Sequence, residues 1–155
     1  MAKLKTKAAG ALGLSPYIAV RDAQAAIAFY IQAFGAEELF RLVDPASGKI
    51  GHAELAIGGG TLMISDEYPD FGALSPDSLG GSSTKLHLDV VDAEAVVKAA
   101  EAAGGTVLRK LEMQFHGCKQ AMVADPFGYS WFISQKADDV SPKDMQARWD
   151  AMGKA

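Results

Sequence analysis

Two short runs place imidazole and carboxylate on alternate residues. His52 and Glu54 stand two apart, and Lys85, His87 and Asp89 keep the same spacing. In a strand every second side chain shares a face, so each run would present its polar groups together. A histidine beside a carboxylate is the arrangement of an oriented general base, and a lysine on the same face could hold an anionic substrate. On this reading His87 is the candidate base, Glu54 or Asp89 orients it, and Lys85 binds the anion. His52, Glu54 and His87 could instead form a non-standard metal site. The plainer reading is a solvated wall with internal ion pairs, because alternation alone puts polar residues on any half-exposed strand.

Other candidates are weaker in chemistry. His116 and Cys118 are two apart, but no second cysteine exists to complete a zinc site. Gly58-Gly59-Gly60 precedes no helix and no Lys-Ser/Thr pair follows it, so it reads as a hairpin turn rather than a phosphate cradle. Tyr17, Phe115, Phe127, Tyr129 and Phe132 could stack a flat ligand, or simply pack. Trp131 reads as core.

The elements that must position these residues come from a repeat. Val20-Arg21-Asp22-Ala23-Gln24-Ala25 is matched seventy residues later by Val90-Val91-Asp92-Ala93-Glu94-Ala95. The same step carries Ala33 to Ala103, Gly35 to Gly105 and Gly58 to Gly128, with no gap. Each copy reads β-α-β-β-β. In the first, strands are predicted at 15–20, 38–43, 50–57 and 61–65, with a helix capped by Asp22 and carrying Ile27, Tyr30, Ile31 and Phe34 as its apolar stripe. In the second, strands are predicted at 85–90, 106–111, 119–124 and 129–134, with a helix capped by Asp92 and a stripe of Val96, Val97, Ala100 and Ala103. The chain then divides into a tail at 1–14, a domain at 15–137 and a C-terminal helix within 138–155, capped by Ser141 ahead of Pro142. Inside the domain, unit one spans 15–65, unit two 85–137, and a Pro- and Gly-rich connection 66–84 shows no period.

The fold class is therefore α+β, with two tandem units forming a curved sheet and cleft. Each helix must cover one sheet face. The uncovered faces would line a cavity. Unit one would contribute Tyr17, His52, Glu54, Leu62 and Ile64, and unit two Lys85, His87, Asp89, Met122 and Phe132.

Composition narrows the partners. The 155 residues are 49% hydrophobic, enough for a sizeable core, and carry a net charge of −4, which argues against nucleic acid. Lys3, Lys5 and Lys7 form a local basic cluster that reads as a solvated tail. The apolar stretch 8–14 is too short and Gly-broken for a signal peptide, and no run is long enough to cross a bilayer. A single cysteine, Cys118, fits a reducing cytoplasm.

Several stretches carry a family likeness. They are 22–35 with its Ala-Ile-Ala-Phe-Tyr core, His52-Ala53-Glu54-Leu55 followed by Gly58, Asp125-Pro126-Phe127-Gly128-Tyr129-Ser130-Trp131, and the tail 138–146. Together they resemble the vicinal oxygen chelate superfamily of glyoxalase I, bleomycin-resistance proteins and extradiol dioxygenases, in its phosphonate-operon-type branch. The resemblance implies the glyoxalase-like fold and a homodimer. Metal-using members place four ligands, usually His and Glu, on the first and fourth strands of each unit. Aligned on the Asp caps and Gly turns, those positions are Ser15, Leu62, Lys85 and Phe132 here, which is no ligand set for a hard divalent cation. Tyr129 stands where the branch usually has His, and Phe115-His116-Gly117-Cys118-Lys119 where it has aromatic-Gly-Asp-Arg; Lys119 cannot fork onto an anion as Arg does.

The expectation is a protein that binds a small molecule in a metal-free cleft, as in drug or metabolite sequestration. Its binding residues would be Tyr17, His52, Glu54, Leu62 and Lys85, with His87, Phe115, Met122 and Phe132. No cofactor is expected, a divalent metal only at a relocated site, and neither nucleic acid nor membrane as partner. The alternative is a lyase, isomerase or dioxygenase using relocated ligands or acid–base residues. A third reading makes the C-terminal helix a docking element for a partner subunit.

Overall fold

A computed structural model describes residues 13–153. The expected tail at 1–14, with Lys3, Lys5 and Lys7, lies outside the described residues except for its last two. The described chain falls into two compact units that divide after Ser82.

Unit one runs β1 (Tyr17–Val20), α1 (Ala23–Phe34), β2 (Glu37–Val43), β3 (Ile50–Ile57) and β4 (Gly60–Asp66). Its sheet has the order β1-β4-β3-β2, with β1 and β4 parallel and the other pairs antiparallel. Unit two runs β5 (Lys85–Asp89), a helix at Ala93–Ala102, β6 (Thr106–Met113), β7 (Cys118–Ala124) and β8 (Ser130–Lys136). Its order, β5-β8-β7-β6, is the same topology. The two tandem β-α-β-β-β units and the α+β class are as the repeat implies.

Helix starts follow the capping residues. Asp22 Oδ1 accepts the Ala25 N–H at 2.9 Å, and Asp92 Oδ1 accepts the Ala95 N–H at 3.0 Å. Gly35 ends α1 in the left-handed region at φ 67°, donating back to Ile31 O. The buried row of α1 is Ala23, Ala26, Ile27, Phe29, Tyr30 and Ala33. Ile31, expected in that row, is exposed: it lies one step around the helix from Tyr30, and the small alanines let the backbone approach the sheet instead. In the second helix Val97 and Ala100 are buried, while Val96 and Ala103 are only half-buried. A Cβ on Gly105 would meet Ala100 O at 2.9 Å, so the chain leaves this helix through space that only glycine fits.

The last strand of each unit holds the start of its helix. Asp66 is buried; its Oδ1 accepts the Ala23 N–H at 2.8 Å and its Oδ2 the Ile50 N–H at 2.7 Å. In unit two Gln135 Oε1 takes the same place on the Ala93 N–H at 3.0 Å.

That pairing exposes an error in the gap-free repeat. The helix caps are seventy residues apart, but Asp66 and Gln135 are sixty-nine apart. Registers agree: Tyr17 stands opposite Met63, and His87 opposite Phe132. The cause is the hairpin. Four residues separate the partners Ala56 and Thr61, whereas five separate Ala124 and Ser130. A one-residue offset moves side chains to the other face. Leu62 and Ile64 therefore lie on the face covered by α1, opposite Leu55 and Ala53, and are fully buried. Met63 and Ser65, not Leu62 and Ile64, belong to the uncovered face.

The connection also carries more structure than its composition suggested. Asp66 belongs to β4. Tyr68 and Ala73 exchange backbone hydrogen bonds at 2.9 and 3.1 Å around a 3-10 turn at Pro69–Phe71. A short helix, α2 (Pro76–Leu79), is capped by buried Ser75. Pro at the first helical position and Gly72 and Gly80 in left-handed exits are the stop and start signals of two single turns. Glu67 ties them down. The Ser78 hydroxyl, the Ser75 N–H and the Ser75 hydroxyl donate to its carboxylate and hold its pKa at about 2.

The second helix of the repeat is thus α3 (Ala93–Ala102), and the C-terminal one α4 (Pro142–Met152). Ser141 caps α4 by accepting the Asp144 N–H at 3.1 Å.

Leu62→Ala should lower stability by about 2–5 kcal/mol and Met63→Ala by no more than about 1 kcal/mol, measured by urea denaturation; equal losses would refute the register. Glu67 has a depressed pKa, so its contribution is complete above its ordinary value near 4.5 and is lost as pH falls towards about 2. The stability advantage of the wild type over Glu67→Gln should therefore shrink across that interval, read as urea midpoints against pH.

Candidate functional site

In unit one the uncovered sheet face centres on His52. Strand alternation aims Tyr17 and Ala19 of β1, Met63 and Ser65 of β4, and His52 and Glu54 of β3 to this side. Phe40 and Leu42 of β2 stand opposite Glu54 and His52. His52 Nδ1 lies 2.9 Å from Tyr17 Oη, and its Nε2 lies 3.3 Å from Glu54 Oε1. The Tyr17 ring meets the imidazole edge-on at 5.3 Å, and Phe40 flanks it at 5.6 Å.

The network assigns the protons. An ionised Glu54 can only accept, so Nε2 carries a hydrogen and donates to it. In the neutral ring Nδ1 is then the acceptor, and the Tyr17 hydroxyl donates to it at 2.9 Å in preference to Gly51 O, which lies 3.4 Å away. The result is a Tyr17–His52–Glu54 chain able to move a proton from phenol to imidazole while the carboxylate stabilises the imidazolium. Glu54 is bonded to His52; of the two carboxylates expected beside His87, Asp89 is the one within hydrogen-bond distance of it.

In unit two the uncovered face carries Lys85, His87 and Asp89 on β5, Phe132 on β8 and Met122 on β7. His87 Nε2 lies 3.0 Å from Asp89 Oδ1, with Phe132 tilted against the ring at 6.3 Å. Both partners are well exposed, the Asp89 side chain at 83%. A contact this open competes with water and is weak. Lys85 is exposed opposite Ser130.

The remaining candidates fall elsewhere. Leu62 is buried beneath α1, as described. Phe115 sits in the β6–β7 connection, off the sheet face, 5.2 Å from both His116 and Trp149. Its carbonyl accepts from Arg148 at 3.0 Å, which fastens α4 to its own unit. Cys118 opens β7 and is half-buried. Tyr129 and Trp131 are core; Asp125 gathers the N–H groups of Phe127 and Tyr129 and the Trp131 indole N–H.

The family's ligand positions fail the metal on chemistry. With the register corrected, the fourth-strand positions are Met63 and Phe132, and the first-strand ones Ser15 and Lys85. A phenyl ring has no lone pair, a thioether is a soft donor, and an ammonium repels a cation. Within either unit, among the described residues, no three His, Cys, Asp or Glu side chains are grouped to hold a metal ion.

Sequence reasoning missed Met63 because it assumed equal hairpins; the Gly-Gly turn against Asp-Pro-Phe-Gly-Tyr was the available signal. It missed Phe40 and Leu42 because β2 alternates too little to assign a face, and a bulge between Glu38 and Phe40 breaks its period. In solution, nitrogen NMR of neutral His52 should show hydrogen on Nε2 and a hydrogen-bonded Nδ1, and Tyr17→Phe should remove the Nδ1 bond while leaving the Nε2 bond to Glu54.

Residues 12–133 match the model of the Glyoxalase/Bleomycin resistance protein/Dioxygenase superfamily. An uncharacterized protein of Mycobacterium tuberculosis is 41% identical over 143 residues, which cover 90% of this chain and 84% of the relative. Among solved structures, TioX from Micromonospora sp. ML1 is 25% identical, with a TM-score of 0.62 over 84% of this chain and 100% of that one. A gene product of Arabidopsis thaliana is 27% identical, with a TM-score of 0.63 over 79% and 98%. The match spans both units and most of the described chain, and on that ground the protein belongs to the glyoxalase/bleomycin resistance protein/dioxygenase superfamily.

Proposed function

We propose that the chain binds a small molecule on the uncovered faces of its sheets, through apolar and hydrogen-bonding side chains rather than a metal at the family's ligand positions. Sequestration of a drug or metabolite is the role such binding serves. The observation that carries the reading is the pair of residues at the face centres: Met63 opposite Tyr17, and Phe132 opposite His87. A thioether and a phenyl ring favour a polarizable or aromatic ligand where a chelating site would need carboxylates. The reading includes a homodimer, supported by Leu39, Phe40, Leu42 and Val43, all exposed on the edge strand β2. It also includes a cytoplasmic location, supported by the free thiol of Cys118.

A second reading, an acid–base lyase or isomerase, is favoured by the Tyr17–His52–Glu54 chain. Tyr17 would pass its phenolic proton to His52 Nδ1 as its oxygen takes a proton from substrate, Glu54 would hold the imidazolium so formed, and the protons would return along the same chain to release product.

A thermal-shift screen of small molecules, run with and without EDTA on tag-free protein, separates these. The expected result is hits whose shifts survive chelation and are reduced by Tyr17→Phe or His52→Ala. Hits that vanish with EDTA and return with Ni, Zn, Mn or Fe(II) would overturn the metal-independent reading. Turnover abolished by Tyr17→Phe would favour the second.

A further inference from the structure

Beside the His52 face, unit one holds a cavity of about 750 Å³ beneath the 67–74 segment. That volume suits a drug-sized molecule. One wall is sheet: Tyr17, Gly51 and Ser65. The other is the Tyr68–Ala73 turn, with Tyr68 and Phe71 among its side chains. The turn is a built wall rather than slack chain. Tyr68 and Ala73 are bonded through their backbones in both directions, and Glu67 Oε1 accepts the Ser75 N–H at 2.7 Å. Lys49 donates to Glu67 O at 3.1 Å and lies 5.4 Å over the Tyr68 ring.

Two polar groups give the cavity its chemistry. The Tyr68 hydroxyl is buried and has no hydrogen-bond partner among the described residues. A Cβ on Gly51 would sit 3.7 Å from it, so the oxygen packs against the Gly51 backbone with no surface open to water. A buried hydroxyl without a partner is unfavourable, and a ligand that draws the half-buried Tyr68 side chain outward and pairs with its hydroxyl gains by it. The second group is Asp44. The Ser47 hydroxyl and the Ala46 N–H donate to its carboxylate and hold its pKa below the usual carboxylate range. The Lys49 ammonium, which lies over the Tyr68 ring, adds to that effect; the carboxylate stays ionised and, on its own side of the cavity, disfavours an anion and rewards a donor. Three aromatic rings, those of Tyr17, Tyr68 and Phe71, supply flat apolar surface.

The geometry points to a binding pocket under the 67–74 segment for a flat aromatic molecule bearing an N–H or O–H donor, cationic or neutral rather than anionic. This rests on the small-molecule reading above and gives it a location and a ligand class. Tyr17 belongs to both the pocket wall and the His52 chain, so occupancy of the pocket would be felt at His52.

The test uses the full chain and two tricyclic probes of similar shape, 9-aminoacridine as cation and 9-anthracenecarboxylate as anion, followed by fluorescence titration. The cation should bind one to one, about tenfold more tightly than the anion. Asp44→Asn should reduce that ratio to within about threefold, and Tyr68→Phe should weaken the cation about fivefold. Thermal melts of both variants check that the fold is retained. Equal affinity for the two probes overturns the proposal, as does indifference to both substitutions. Binding that ignores Asp44→Asn and Tyr68→Phe but is lost in His52→Ala would place the ligand on the sheet face; it would sink this pocket and leave the broader reading standing. Failure of both probes while other thermal-shift hits persist would do the same.

Discussion

The architecture depends on one recurring contact: a side-chain oxygen from the last strand of a unit, set beneath the first turn of its helix. In unit one Asp66 supplies it and in unit two Gln135. The first N–H groups of any helix lack intrahelical partners, and burying them unpaired is costly. A strand that must meet this need cannot slide. Once β4 is pinned to α1, its pairing with β1 is fixed, and so is which side chains face the helix and which face away. Asp66 goes further than Gln135, because its second oxygen also holds the start of β3. A carboxylate with two oxygens can join three elements where an amide with one acceptor oxygen joins two.

The functional face is a by-product of that registration. Helix-facing positions on β1, β3 and β4 are filled by Ile18, Val20, Ala53, Leu55, Leu62 and Ile64, all buried. Everything of opposite parity is released from core duty and can be polar. His52 uses that freedom to bond Glu54 on its own strand and Tyr17 on β1, across the intervening β4. The two units spend it differently. The imidazole of unit one is enclosed by Tyr17 and Phe40, whereas that of unit two is paired with an open carboxylate. A proton relay is worth more in the first setting, where less water competes for its hydrogen bonds.

Much of this was legible in the sequence, for local reasons. Asp22, Asp92 and Ser141 announce helix starts because capping is a contact within four residues. The strands of unit two could be assigned to faces because Lys85, Leu86, His87 and Leu88 alternate cleanly. Three things were not legible. The face of β4 depends on the length of a hairpin, and Leu62, Met63 and Ile64 are all apolar, so nothing in that run marks its inner side. The turns of the connection are single, below the length at which any period shows. The second partner of His52 depends on strand order; spacing along β3 made its bond to Glu54 available, but only the order β1-β4-β3 brings Tyr17 to it.

The unequal hairpins have a consequence for how the two halves relate. They look like interchangeable copies, yet Gly58-Gly59 closes one tightly and the longer Asp125 turn, anchored by three N–H groups, closes the other. Each turn is matched to the inside–outside order of the strand that follows it. A chimaera carrying the longer turn in the first half would deliver β4 inverted, with Met63 directed at α1 and Leu62 at solvent. The halves have thus lost modularity at the point where their sites differ, and a residue's role cannot be carried from one half to the other by counting along the chain.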